Sequence, residues 1–267
     1  MISPAVFAAC ILTLFVSLIL PLGLLVFLGI RYRRQGMVSA WLLGAAGFFV
    51  SQMVLRIPLL NLLSQDLDFV MFAQDHVVPY ALALAFSAGL FELGGRLAAA
   101  WAMEKNLTYP RALAAGLGHG GIEAILLVGL TYVSNLVLLV LVQSGAYDTL
   151  IAQTQAAGSD VTALVSAKEL LLSTGAGLFL LAGLERLLTM ICHTAMSVLV
   201  CWGWKNHRLA LGCGVCLALH FVLDSLAVVT VFLPQPLSYW LLYGCMGATA
   251  LLSLFLLRKL RRCWPAA

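Results

Sequence analysis

Charged side chains are scarce in this sequence: Asp, Glu, Lys and Arg supply 10% of its 267 residues, where a soluble domain carries about a quarter. Hydrophobic residues fill 63%, and the mean hydropathy is +1.03. So little charge cannot clothe a water-facing surface of this size, which excludes a soluble globular protein and leaves a polytopic membrane protein. Other shortages narrow the reading. There is no hydrophilic block long enough for a second domain and no visible internal repeat, so 1–267 is expected to form a single integral membrane domain. A solvated basic patch is also missing: the net charge of +4 comes from Lys and Arg beside apolar runs, which excludes a nucleic-acid binder. The seven cysteines (Cys10, Cys192, Cys201, Cys213, Cys216, Cys245 and Cys263) are odd in number and absent from the predicted outer loops, so no disulfide framework is expected. No basic stretch precedes the apolar run from Met1 to Ile30, which therefore reads as a first span and not as a cleaved leader. Cys263 stands fifth from the end and not fourth, so the terminus does not read as a prenylation box.

What the chain has in quantity is long apolar runs. About 20 apolar residues cross the hydrocarbon core, and the runs fall at roughly Pro4–Ile30, Met37–Leu62, Val77–Ala102, Arg111–Val142, Leu170–Trp204, Leu209–Phe232 and Pro236–Leu257. The expected fold is all-α, a polytopic membrane helix bundle of about seven transmembrane helices. The fifth run exceeds one straight span, so it either opens with an interfacial segment near Lys168 and Glu169 or tilts strongly. Arg31, Arg33, Arg34, Lys105, Arg111, Lys205, Arg208, Arg258, Lys259, Arg261 and Arg262 all fall on one side of this division. The opposite loops carry Asp66, Asp68, Asp75, Asp148 and Asp160 instead, with Lys168 alone against the pattern. By the positive-inside rule the N-terminus is outside and the C-terminus cytoplasmic.

Against this apolar background, ionisable residues stand on four spans at mid-membrane depth: Glu92/Arg96, His119/Glu123, Arg186/His193 and His220/Asp224. A charge at the bilayer centre costs about 2.5 kcal/mol or several times that, so membrane helices rarely keep one unless it faces a polar interior. Counted from the cytoplasmic ends, Glu92, Glu123, His193 and His220 lie about 10 to 12 residues in, a common depth of roughly 15–18 Å. Residues four or seven apart share a helix face, so each span presents one polar stripe. Gly94, Gly95, Gly118, Gly120, Gly121 and Gly183 flank the stripes and would let helices approach closely. A buried carboxylate can act as general base toward water, and neutral imidazoles can stabilise an oxyanion or bind a metal. Asp224, one turn from His220, could fix that ring's tautomer. His119, His193, His220 and Glu123 would also suffice for a zinc site with an open position.

Plainer readings stand beside these. Glu92 with Arg96 alone is what a structural ion pair looks like, and lone His119 or His193 is what a hydrogen-bonded core histidine looks like. Glu185 and Arg186 are adjacent and point to different sides, so one of them can be satisfied by Thr189 or a backbone carbonyl. Cys213 and Cys216 form C-x-x-C without the strand–helix context of a redox site and read as packing. Arg56 and Asn61 are expected to snorkel or cap near the outer end of the second span, and His76 and His207 to be solvated loop residues.

Taken as an ordered set, Phe91-Glu92-Leu93-Gly94-Gly95-Arg96, Gly118-His119-Gly120-Gly121-Ile122-Glu123-Ala124, Glu185-Arg186 with His193, and His220-Phe221-Val222-Leu223-Asp224 resemble the YhfC-type membrane peptidases. These are distant relatives of the CAAX prenyl endopeptidases, the bacteriocin-processing proteases and the PrsW-type proteases. The resemblance covers a core from about Val77 to Phe232, four helices that carry the polar motifs. The wider clan's pattern reads E-E-x-x-x-R, F-x-x-x-H and H-x-x-x-N or D, with the first glutamate as the usual base. Here Phe91 holds that first position, Glu92 and Arg96 match the second glutamate and the arginine, and His119 and Glu123 stand where phenylalanine and histidine are usual. His220 and Asp224 match the third motif. The resemblance implies an intramembrane endopeptidase of metallo- or glutamate type, with zinc or with no metal. Glu123 or Glu92 would activate water, His220, His193 and His119 would hold the carbonyl oxygen or a metal, Asp224 and Arg96 would orient them, and Glu185 and Arg186 would support. Its partners would be a membrane-bound peptide or protein substrate and the lipid bilayer, in the cytoplasmic membrane of a prokaryote. Two rivals remain open at this point. One is a non-catalytic scaffold using the same buried pairs as helix locks. The other is a proton-coupled transporter, whose mark would be polar residues leading to both surfaces.

Overall fold

The computed structural model describes residues 2–265. Among them seven helices are long and apolar enough to cross a membrane: α1 (Pro4–Arg31), α2 (Met37–Leu63), α4 (Val77–Ala102), α5 (Tyr109–Gln143), α8 (Ala176–Lys205), α9 (Leu209–Thr230) and α10 (Leu237–Arg262). Short helices α3 (Leu67–Asp75) and α6 (Ala146–Ala156) fill connections expected from sequence to be loops, and α7 (Thr162–Ser173) carries Lys168 and Glu169, near which the fifth run was expected either to open with an interfacial segment or to tilt. No strand occurs among the described residues. The chain is therefore an all-α integral membrane protein. Large side chains such as Val26, Ile30, Leu251 and Trp240 stand out from the helices; such faces would aggregate in water but are ordinary where lipid is the solvent.

Local chemistry sets the ends and turns. Asp66 caps α3 by accepting from Phe69 N–H at 3.0 Å, and Ser3 caps α1 ahead of Pro4. The long fifth run resolves into two helices. Thr174 takes an extended conformation, Gly175 follows, and α8 starts at Ala176, so α7, which carries Lys168 and Glu169, is a separate segment. Widened π-helical turns occur at Phe15–Ile19 in α1, Phe49–Arg56 in α2 and Ile125–Gly129 in α5. The first two stand just before Pro21 and Pro58. A proline ring displaces the carbonyl four residues earlier and brings no N–H to it, and a wide turn absorbs both effects.

By packing, the chain divides into two compact units, one from Met1–Leu22 with Ala124–Leu187, the other from Gly23–Glu123 with Leu188–Ala267. In the first, Thr13 and Tyr132 hydroxyls both donate to the Phe179 carbonyl, at 2.6 and 3.2 Å, amid Ala9, Cys10, Leu139 and Leu171. In the second, Trp41, Met103, Leu107, Ala115 and Val198 form one core layer, and Cys192, Met196, Val200, Cys216 and Met246 another. Bare glycine surfaces bring its helices together: a Cβ on Gly44 would lie 1.8 Å from the Ala115 carbonyl, and one on Gly118 would lie 1.9 Å from that of Trp41. Thus α2 packs backbone to backbone on α5, and through Gly47 and Gly95 on α4.

Candidate metal centre and active site

All of the site described here lies in the second unit. Glu92, ten residues before the end of α4, is 4% exposed and forms its hub. Its Oε2 meets His220 Nε2 at 2.9 Å, His119 Nε2 at 3.0 Å, Arg96 Nη2 at 3.2 Å and His193 Nδ1 at 3.4 Å. Three histidines from α5, α8 and α9 thus converge on one carboxylate oxygen of α4. The rings also pack on each other: His119 stacks on His193 at 5.6 Å between centroids, and His220 meets His193 edge to face at 5.3 Å. Phe48 of α2 closes over His119 at 5.4 Å.

The outer partners fix tautomers. Arg96 Nη2 lies 2.7 Å from His193 Nδ1, and because a guanidinium only donates, that nitrogen is the acceptor. His193 Nε2 then carries the proton, and it lies 3.1 Å from Glu123 Oε2. His220 Nδ1 faces Asp224 Oδ2 at 3.3 Å; a proton there is what the carboxylate demands. The Nε2 of a neutral His220 would then turn a lone pair toward the Glu92 oxygen. Two acceptors at 2.9 Å hold together only with a proton or a cation between them. His119 Nδ1 and Arg96 Nε and Nη1 are buried without a hydrogen-bond partner among the described residues.

The residues fit a metal. One donor atom each from Glu92, His119 and His193 lie within 4.8 Å of one another, and His220 Nε2 touches the same Glu92 oxygen. Tetrahedral coordination by nitrogen and oxygen at zinc bond lengths puts neighbouring donors about 3.3 Å apart, close to the 2.9–3.4 Å between Glu92 Oε2 and the three imidazoles. Imidazole with carboxylate is a zinc-type donor set, and the Asp224 contact on the far nitrogen of His220 is the usual support of a ligating histidine.

Glu92, Arg96, His119, His193 and His220 thus gather directly, and Glu123 and Asp224 join through His193 and His220. Glu185 and Arg186 belong to the first unit. Although adjacent on α8, their side chains bend to meet each other. A residue not singled out from sequence stands against Glu92: Gln52 Nε2 donates to Oε1 at 3.0 Å and to the Ala88 carbonyl at 3.3 Å. Arg56, expected to snorkel or cap, donates to Gln52 Oε1 at 3.2 Å, Ser87 Oγ at 3.1 Å and the Leu84 carbonyl at 2.8 Å. Polarity thus continues beyond the hub along α2, outside the four spans on which the sequence places its ionisable pairs. A glutamine one turn before an arginine in an otherwise apolar span was the available signal.

A family model described as YhfC intramembrane metalloprotease matches residues 16–233. The chain belongs to the YhfC intramembrane metalloprotease family. Within it, the chain is similar to a curated protein named uncharacterized membrane protein YhfC from Bacillus subtilis (strain 168), at 31% identity over 194 residues, covering 72% of this chain and 73% of that protein. No solved structure matches the chain. The matched YhfC region includes every residue of the Glu92 hub and reaches upstream to α2, so Gln52 and Arg56 fall inside it as well.

Proposed function

We propose that the chain is an intramembrane endopeptidase of the metallo type, acting on membrane-associated peptides or proteins. The observation that carries this reading is the convergence of three imidazoles from three helices on the buried Glu92 carboxylate. Glu92, His119, His193 and His220 would hold the metal, His193 through Nδ1 in place of its Arg96 contact, with zinc favoured by donor chemistry. When bound, it supplies Lewis acidity toward a substrate carbonyl and lowers the pKa of a water. Both Glu92 oxygens are committed, Oε2 to the histidines and Arg96 and Oε1 to Gln52, so proton transfer falls to Glu123. Buried at 7% exposure against His193 Nε2, Glu123 accepts the proton of the attacking water and returns it to the departing amine. Asp224 keeps His220 in one tautomer, and Arg96 balances the charge of Glu92. The N-terminus faces out and the C-terminus lies in the cytoplasm of a prokaryotic cell.

Metal analysis and cleavage of a membrane-peptide library by the nanodisc-reconstituted protein test this together. Stoichiometric metal lost in Glu92→Gln, with hydrolysis lost in Glu92→Gln and Glu123→Gln, is the expected result. Background hydrolysis shared by wild type and both variants rejects catalysis. A scaffold is the second reading, favoured by one observation: side chains of α2, α5, α8 and α9 all bond to Glu92 of α4, which locks five helices. It would appear as loss of stability in Glu92→Gln with no bond cut by any form.

A further inference from the structure

We propose that Gln52 and Arg56 of α2 form a positioning bridge that fixes the Glu92 carboxylate, and hence the arrangement of the three histidines around it. The catalytic arm of this inference rests on the endopeptidase reading; the bridge itself rests on geometry. The two oxygens of Glu92 have unlike surroundings. Oε2 faces every imidazole, while Oε1 has Gln52 Nε2 at 3.0 Å. The terminal torsion of a glutamate is soft, so a carboxylate drawn by four nitrogens on one side can roll unless its other oxygen is pinned. Gln52 pins it.

A glutamine amide is nearly symmetric in shape and could pin with either end, but only one end donates. Arg56 removes the ambiguity: its Nη1 donates to Gln52 Oε1 at 3.2 Å, which leaves Nε2 for Glu92 Oε1 and the Ala88 carbonyl. A flipped amide would set its oxygen against two acceptors and its NH2 against a guanidinium. Arg56 is in turn held by Ser87 Oγ and the Leu84 carbonyl, up to two turns before Glu92 on α4. Every polar atom of Gln52 has a partner of the right polarity, all of them buried or half-buried. The local backbone agrees. Both residues lie in the widened Phe49–Arg56 turn ahead of Pro58, and π-helical turns recur where a helix must aim a functional side chain.

The test uses the full chain in nanodiscs, with Co2+ as the metal probe read by visible absorption, beside kcat and KM for peptide cleavage. Gln52→Leu, close in volume, is expected to weaken Co2+ binding about 10- to 100-fold, alter its absorption band, and lower kcat with KM within about twofold. Arg56→Lys keeps a donor for Oε1 and should stay within about threefold of wild type, whereas Arg56→Met should lose as much as Gln52→Leu and add nothing to it. A folded Gln52→Leu with wild-type Co2+ spectrum and affinity overturns the bridge, as do fully additive losses in Gln52→Leu/Arg56→Met. If Gln52→Leu does not fold, the contrast between Arg56→Lys and Arg56→Met decides in its place. Should wild type neither bind Co2+ nor cut, the endopeptidase reading fails alone. The bridge is then judged on metal-free protein by a thermal double-mutant cycle of Gln52→Leu with Glu92→Gln: coupled shifts uphold it and additive shifts overturn it.

Discussion

His220 sits between two carboxylates, Glu92 at 2.9 Å and Asp224 at 3.3 Å, and what it does depends on which of its nitrogens holds a proton. Asp224 is half exposed while Glu92 is buried, so the two carboxylates meet the buried ring from unlike surroundings. If that contact orients a metal ligand, Asp224→Ala should weaken metal binding about 10- to 100-fold, measured by chelator competition, and Asp224→Asn, whose amide oxygen still accepts, should do less. Equal affinity in Asp224→Ala would make the contact incidental. Glu123 predicts the converse pattern. As a base and not a main ligand, Glu123→Gln should keep its metal and lose about 100-fold or more in kcat; loss of the metal with the activity would place Glu123 among the ligands. The hub was legible in the sequence because an acid or imidazole inside an apolar span stands out and because four of them counted to the same depth. Gln52 was not legible by that route. It bears no charge, so it stands out less than an acid or imidazole, and its partner Glu92 is 40 residues away on another helix. Arg56 was visible, yet an arginine near a span end reads as solvated until Ser87 and Leu84 are seen to hold it.

Among the elements, α2 was placed outside the expected four-helix core, and its role in the structure comes from what it lacks. Gly44 and Gly47 leave its backbone open to the Ala115 carbonyl of α5 and to Gly95 of α4, and this closeness lets Gln52 reach Glu92. Sequence identified the glycines beside the acidic and histidine motifs but gave no way to tell which of them touch. Gly95, Gly118 and Gly120 do, whereas a Cβ on Gly94 meets nothing within 4 Å. Two alanine substitutions on neighbouring motifs should therefore differ sharply. Gly118→Ala drives a methyl into the Trp41 carbonyl, which cannot swing aside as a side-chain tip can. Overpacking of this kind costs about 1–3 kcal/mol or more, a fall of roughly 3–10 °C in the unfolding midpoint. Gly94→Ala should leave the midpoint unchanged or raise it slightly, since alanine is the better helix former. Thermal denaturation in one detergent compares them directly, and equal shifts would remove close approach as the reason for these glycines. Span boundaries were easier to read, because hydropathy fixes where a helix can lie in lipid. The break between α7 and α8 was legible in part: the excess length of the fifth run offered a separate opening segment near Lys168 and Glu169 as one of two alternatives, but hydropathy carries straight through Thr174 and Gly175 and does not place the break.

Seven helices each crossing once would put Ser3 and Cys263 on opposite sides of the membrane, so one orientation measurement would settle the sidedness of every loop between them. Arginine and lysine gather after α1, between α4 and α5, after α8 and at the end of α10, while the connections carrying Asp66, Asp68, Asp148 and Asp160 hold mainly acids. Lys168, the exception, is ion-paired with Asp148 of α6, which offsets its charge on that side. Positive residues resist transfer against the membrane potential, at about 2.3 kcal/mol per charge per 100 mV, which is the reason the proposed orientation keeps the basic ends in the cytoplasm. The chain contains its own reporter for this. Cys263, just past Lys259, Arg261 and Arg262, is exposed, and the other six cysteines are buried or half-buried within the spans. A membrane-impermeant maleimide should leave Cys263 unlabelled in intact cells and label it in inverted vesicles. An Asp68→Cys variant on the exposed first turn of α3 should show the opposite pattern. Labelling of Cys263 in intact cells would invert the topology. It would also move Arg56 and Asp224, which lie toward the α3 end of their spans, from the outer to the cytoplasmic side of the Glu92 hub, and with them the surface nearest to the half-exposed Asp224.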